Sequence, residues 1–273
     1  MFGRIVCKVG SMALIRKEDN DINYNIIARL ASELHPGMVL VTSGAAEIGR
    51  VDYMRRHKRE IEEDSLDAKT DYSAQGQMIL MQNYRQFVAP EYSVRQLLVE
   101  HLHFNDPEKR EHIRRFLERA ARQGAIPIIN YNDPVSDEEN RRWELAHLRE
   151  IGTEPVECVD NDETAAVIAE LISADALVIL TSANGLYADP QDSATIIPEI
   201  VAATPKELES KINKLKEFCH GASRSGANGM AAKLQYVTRP AMNGTTVVIG
   251  SASHRISELL EGTVPRTVIK VTN

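Results

Sequence analysis

The sequence predicts an α/β fold built on a mainly parallel sheet wrapped by helices. Short apolar runs alternate along the chain with longer amphipathic ones, as parallel strands joined by helical crossovers require. The 273 residues suit one large α/β domain with extra loops, expected to run over 1–273. A hydrophobic share of 43% beside 26% charged residues can build a core, and it excludes a disordered or collagen-like chain.

In chain order, the apolar runs Arg4 to Val9, Met38 to Thr42, Val94 to Val99, Ala125 to Ile129, Ala176 to Thr181, Thr245 to Ile249 and Thr267 to Val271 read as strands. Between them, Ile22, Ile26, Ile27, Leu30 and Leu34 mark one face of a first helix. A later helix begins near Thr204, with Leu208, Ile212, Leu215 and Cys219 on one face. Thr204 and Glu207 have capping-box spacing around Pro205 at the first helical position. Two polar stretches break the rhythm. Residues 52–69 are dense in both charge signs and read as a surface helix or a loop. Residues 136–157 read either as a solvated loop anchored by Trp143 or as a lid over a substrate.

Charge and motif content narrow the function. Lys plus Arg number 32 against 39 Asp plus Glu, and the net charge of −7 argues against general binding to nucleic acid or an anionic membrane. No run approaches the ~20 apolar residues of a membrane span. The first residues lack the apolar stretch of a signal peptide. Cys7, Cys158 and Cys219 are scattered, without metal-ligand spacing, so a reducing, cytoplasmic setting is expected. GxxxxGK[ST], GxGxxG, HExxH and GxSxG are all absent. His101 and His103 read as surface residues, and no metal site is expected.

Polar and small residues gather where strands end, the place where open α/β sheets bind ligands. Lys8 lies inside an apolar strand and must find a partner there, because an unpaired buried ammonium is costly; it is followed by Gly10 and Ser11. Thr42-Ser43-Gly44-Ala45 closes the second strand with residues that let a ligand reach the backbone. Asn130, Asn132 and Asp133 end another strand, where an Asx turn before Pro134 is the alternative. Asp160, Asn161 and Asp162 open a helix that needs only one of them as a cap. Thr181 and Ser182 lead into a polar loop reading GLYADP. A glycine-rich turn then runs through Ala227, Asn228, Gly229, Met230, Ala231 and Ala232 to Lys233, a setting suited to polyphosphate.

The order of these pieces along the chain resembles the amino acid kinase family. KVGS at Lys8 to Ser11, TSGA at Thr42 to Ala45, GQ at Gly76 and Gln77, IPIINYND at Ile126 to Asp133, DND at Asp160 to Asp162, GLYADP at Gly185 to Pro190 and GMAAKLQ at Gly229 to Gln235 carry the likeness. It implies a three-layer α/β/α sandwich with a mainly parallel central sheet. It also implies the branch that uses ATP, with Mg²⁺, to phosphorylate the γ-carboxylate of L-glutamate at the first step towards proline, in a short form without a C-terminal PUA domain.

By the same resemblance, Lys8 and Lys233 hold the transferring phosphate and Asp162 orients them. Gly10, Ser11, Thr181, Ser182 and Ala227 to Lys233 contact the nucleotide, while Ser43, Gly44, Asn130, Asp133 and Asn161 hold the amino acid. A homodimer or homotetramer is expected. A related kinase for another carboxylate, carbamate or phosphate acceptor, or a non-catalytic nucleotide sensor or storage protein on the same fold, stays open.

Overall fold

The computed structural model describes residues 2–136, 138–152, 154–158, 160–188, 192–218 and 230–272. Its elements run β1 (Ile5–Val9), α1 (Ser11–Leu14), α2 (Tyr24–Glu33), β2 (Met38–Thr42), α3 (Ala45–His57), α4 (Ser65–Phe87), β3 (Ser93–Val99), α5 (His101–Asn105), α6 (Pro107–Arg122) and β4 (Ala125–Tyr131). They continue through α7 (Glu138–Glu150), α8 (Asn161–Leu171), β5 (Ala176–Thr181), β6 (Leu186–Tyr187), β7 (Ile196–Ile197), β8 (Glu199–Ala202), α9 (Pro205–Phe218), α10 (Met230–Met242), β9 (Thr246–Ser251), α11 (Ile256–Glu261) and β10 (Arg266–Val271). One eight-stranded sheet has the order β3-β4-β2-β1-β5-β9-β10-β8; β6 and β7 form a separate hairpin. Only β9 and β10 pair antiparallel among the registered partners of the large sheet. The α/β class with its mainly parallel sheet is therefore as the sequence predicts.

Two compact units divide the chain. The first comprises residues 1–9, 37–39 and 162–273, and the second 10–36 and 40–161. In the first unit, β1 and β5 are apolar almost throughout and buried along their length, as strands covered on both faces must be. Their parallel register sets Lys8 beside Ile179. The short hairpin is pinned to β10 by one hydroxyl. Thr267 Oγ1 accepts from the Leu186 amide at 2.8 Å and donates to the Ile197 carbonyl at 2.6 Å.

In the second unit, α3 and α4 touch backbone to backbone. A Cβ on Gly49 would collide with the Tyr72 carbonyl, and one on Gly76 with the Ala45 carbonyl, so only glycine permits this approach. α4 begins at a well-made cap, where the Asp64 side chain accepts from the amides of Leu66 and Asp67.

Several local expectations change. Ile22 is buried but precedes the first helix, bridging to Ile15, and Asn23 caps the helix instead. Thr204 accepts from the Glu207 amide, but the Glu207 carboxylate reaches back to the amide of Ala203, one residue beyond the capping-box position. Cys219 lies outside the described residues. β6, β7 and β8 are too short, and β8 too near a sheet edge, for an apolar run to announce them.

Residues 52–69 carry the end of α3, a connecting loop and the start of α4, all solvated, with Arg50 and the Tyr72 hydroxyl both holding Glu60. Residues 136–157 are built around α7, not a loop. Trp143 does not anchor it; its ring is 72% exposed and stacked on His147, while Leu145 supplies the buried contact. His101 is no surface residue either. It is buried at the start of α5, and its Nε2 lies 2.6 Å from Glu144 Oε2 of α7. His103 bonds the Glu100 amide through Nδ1.

Candidate active site

In the first unit, Lys8 projects from β1, a strand without another polar side chain, and is almost fully buried. Its ammonium lies 2.6 Å from Asp162 Oδ1. Asp162 opens α8, and its other oxygen accepts from the Lys233 ammonium of α10. The carboxylate is 2% exposed, so burial alone would raise its pKa. The two ammonium groups outweigh that cost and hold it below the ordinary aspartate value.

Two cations against one anion leave a unit of positive charge within the trio, in a place poor in water. An incoming phosphate oxygen would complete the balance with charge-assisted hydrogen bonds. The donor set thus fits a nucleotide phosphate. It does not fit a protein-held Mg²⁺: both Asp162 oxygens face ammonium groups, and no three His, Cys, Asp or Glu side chains come together as ligands among the described residues.

The residues expected to contact the nucleotide fall partly in the same unit. Thr181 Oγ1 accepts from the Ala183 amide and donates to the Ala183 carbonyl, both at 2.9 Å, so its hydroxyl shapes the loop. Ser182 is exposed beside it. Ala227, Asn228 and Gly229 lie outside the described residues. Met230, Ala231 and Ala232 form the first turn of α10, which carries Lys233 one position later.

The second unit holds the other group of predicted residues. Asn161 Nδ2 lies 3.0 Å from the Thr42 carbonyl, 3.0 Å from Ser43 Oγ and 2.9 Å from Asn130 Oδ1. Asn130 is buried at the end of β4 and donates to Gln77 Oε1 at 2.8 Å. Thr42 shares a 2.8 Å hydrogen bond with Tyr84, whose phenol is pushed up by complete burial. Gly44 takes φ +98° at the head of α3, a left-handed conformation that favours glycine, and a Cβ there would press on Leu14. Gly10 and Ser11 start the short α1 of this unit. Asp133 stands apart from the amide cluster, in a 3-10 turn, ion-paired with Lys69 of α4 at 3.0 Å.

The structure therefore brings together Lys8, Asp162 and Lys233 in one unit, and Ser43, Asn130 and Asn161 in the other. Gln77 and Lys69 were not singled out as site residues. Gln77 stands inside the quoted GQ motif, where only its partner Gly76 has an obvious backbone role. Lys69 is hidden in a charge-dense stretch that reads as solvated surface.

Comparison with known proteins gives the family. The amino acid kinase family matches residues 3–251, and the chain belongs to that family. It is 34% identical over 274 residues to a glutamate 5-kinase of Cupriavidus pinatubonensis, covering 95% of this chain and 65% of the relative. A glutamate 5-kinase of Burkholderia thailandensis is 35% identical over 266 residues, covering 92% and 63%. The chain spans just under two thirds of the length of these relatives.

Solved structures share the fold at low identity. Carbamate kinase from Giardia lamblia bound to AMP-PNP superposes with a TM-score of 0.62 at 14% identity, over 99% of each chain. UMP kinase from Bacillus anthracis gives 0.56 at 12% identity, over 98% of this chain and 96% of that one. Among the described residues, no helix is long and apolar enough to cross a membrane.

Proposed function

We propose that this chain is an ATP-dependent kinase that phosphorylates the γ-carboxylate of L-glutamate, giving glutamyl 5-phosphate and ADP, the step that opens the route to proline. The Lys8–Asp162–Lys233 trio is the observation that carries the reading. A γ-carboxylate oxygen attacks the γ-phosphorus of ATP, the bond to the β,γ-bridging oxygen breaks, and ADP leaves with the electron pair. No enzyme nucleophile and no proton transfer are needed, because the acceptor is already an anion.

The chain's task is to hold and neutralise the transferring group. Lys8 and Lys233 donate to its oxygens, and Asp162 holds both ammonium groups in place. Mg²⁺ would be supplied with the nucleotide and not held by the trio. Asn161, Ser43 and Asn130 hold the amino acid, with Asp133 taking its ammonium. The curated relatives support glutamate as the acceptor.

The test is ADP release with a panel of amino acids, carbamate and phosphate acceptors, with hydroxylamine present to trap acyl phosphate. Glutamate-dependent hydroxamate is expected. Turnover only with another acceptor, or ATP binding without turnover, would overturn the reading.

A further inference from the structure

Three polar residues of α4, Lys69, Ser73 and Gln77, follow one another at four-residue spacing and so share one face of the helix. That face meets the segment leaving β4. Gln77 accepts from Asn130 at its buried end, and Lys69 pairs with Asp133 at its exposed end. Between these fixed points the bonding is incomplete. Among the described residues, Ser73 Oγ and Gln77 Nε2 have no hydrogen-bond partner, although Ser73 is 1% and Gln77 9% exposed. Buried polar groups normally find partners, and each failure costs on the order of 1–3 kcal/mol.

Both unanswered groups can donate, a hydroxyl and an amide NH₂, and the Lys69 ammonium on the same face is a third donor, paired with Asp133. Donors on one helix face suit an anionic acceptor, which the middle of the row would meet together with the Lys69 side chain. Beside the ammonium stands Asp133, an acceptor for a cation. The Lys69–Asp133 pair is solvent-exposed on the lysine side, so it gains little from its own contact and can be exchanged for a ligand. A positive and a negative group side by side, backed by buried donors, match a zwitterion with ammonium and carboxylate on one carbon.

We infer that the Lys69–Ser73–Gln77 face of α4 binds the α-carboxylate of the amino acid, opposite its ammonium on Asp133. This rests on the amino acid acceptor proposed above and names the residues that tell glutamate from acceptors lacking that carboxylate. The γ-carboxylate stays clear of this face and available to react.

The test uses the whole chain with K69M and S73A, in steady-state ADP release with hydroxylamine trapping. 4-Aminobutyrate, which lacks only the α-carboxylate, serves as inhibitor. Each substitution is expected to raise KM for glutamate about tenfold, the scale of one lost charge-assisted hydrogen bond, with kcat and KM for ATP within about twofold. The inhibition constant of 4-aminobutyrate should not rise. Unchanged KM for glutamate, or equal weakening of glutamate and 4-aminobutyrate, overturns the inference while leaving the kinase reading intact. Absence of glutamate-dependent hydroxamate in the unmodified chain overturns the kinase reading itself. Lys69 is largely exposed, so K69M keeps the fold and decides the matter if S73A does not.

Discussion

At the scale of single residues, Lys8 shows how far a strand can bend its own rules. A lysine within an otherwise apolar buried strand is tolerated because Asp162 answers it, and Asp162 in turn because Lys233 shares its charge. Removing either lysine should leave substrate binding largely intact and the chemistry crippled. K8A and K233A are each expected to lower kcat by two or more orders of magnitude (roughly 10²–10³) while KM for glutamate changes little. Equal, mild losses in both constants would remove the lysines from the transition state.

D162N exposes the other side of the balance, since it leaves two ammonium groups facing a neutral amide. It should cost on the order of 3 kcal/mol in urea unfolding at neutral pH. Asp162 is held below its ordinary value in the folded state. Its contribution is therefore complete above the unfolded-state pKa of ~3.9 and fades as pH falls through the lower folded value. The stability gap between the unmodified chain and D162N should be flat from about pH 5 to 8 and narrow only in stronger acid. A gap that narrows near neutrality would contradict the assignment.

At the scale of elements, the close approach of α3 and α4 is the feature on which the second unit's polar face depends. G49A or G76A would drive a methyl into the opposing backbone, which cannot yield as a side chain does. Either should destabilise by about 3 kcal/mol, the upper range for overpacking, measured as a lowered urea midpoint at unchanged slope. No loss of stability would mean the helices part easily.

The helices also mark where sequence reading stops. Strands such as β1, β2 and β5 announce themselves because parallel, buried strands are apolar along almost their whole length. A need for a partner to Lys8 is equally legible, since burial demands one. Which carboxylate answers is legible only through the family likeness, because strand order, not local pattern, decides it. Gln77 and Lys69 are not legible as site residues for a related reason. Their meaning comes from Asn130 and Asp133, which reach α4 only through tertiary packing. Trp143 misled because an aromatic in a polar stretch usually buries itself, whereas Leu145 does so here.

At the scale of the whole molecule, the two units divide the proposed labour: phosphate chemistry in the first, the amino acid cluster in the second. Hydrogen exchange offers a direct check. A non-hydrolysable ATP analogue should slow exchange in β1, the start of α8 and the start of α10, whereas glutamate should slow it in α4 and around Asp133. The opposite pattern would reverse the assignment. The net charge of −7 is no obstacle to the proposed anionic substrates, because Lys8 and Lys233 concentrate positive charge beside a single carboxylate.

The way the units are threaded also has a consequence for synthesis. Every segment of the second unit has been made once residue 161 emerges, but the first unit needs residues 1–9 to meet strands that follow residue 162. During translation β1 must wait, with its apolar edge exposed, until β5 is made. The ribosome therefore completes every segment of the second unit, with its amide cluster, before the Lys8–Asp162–Lys233 trio of the first can exist.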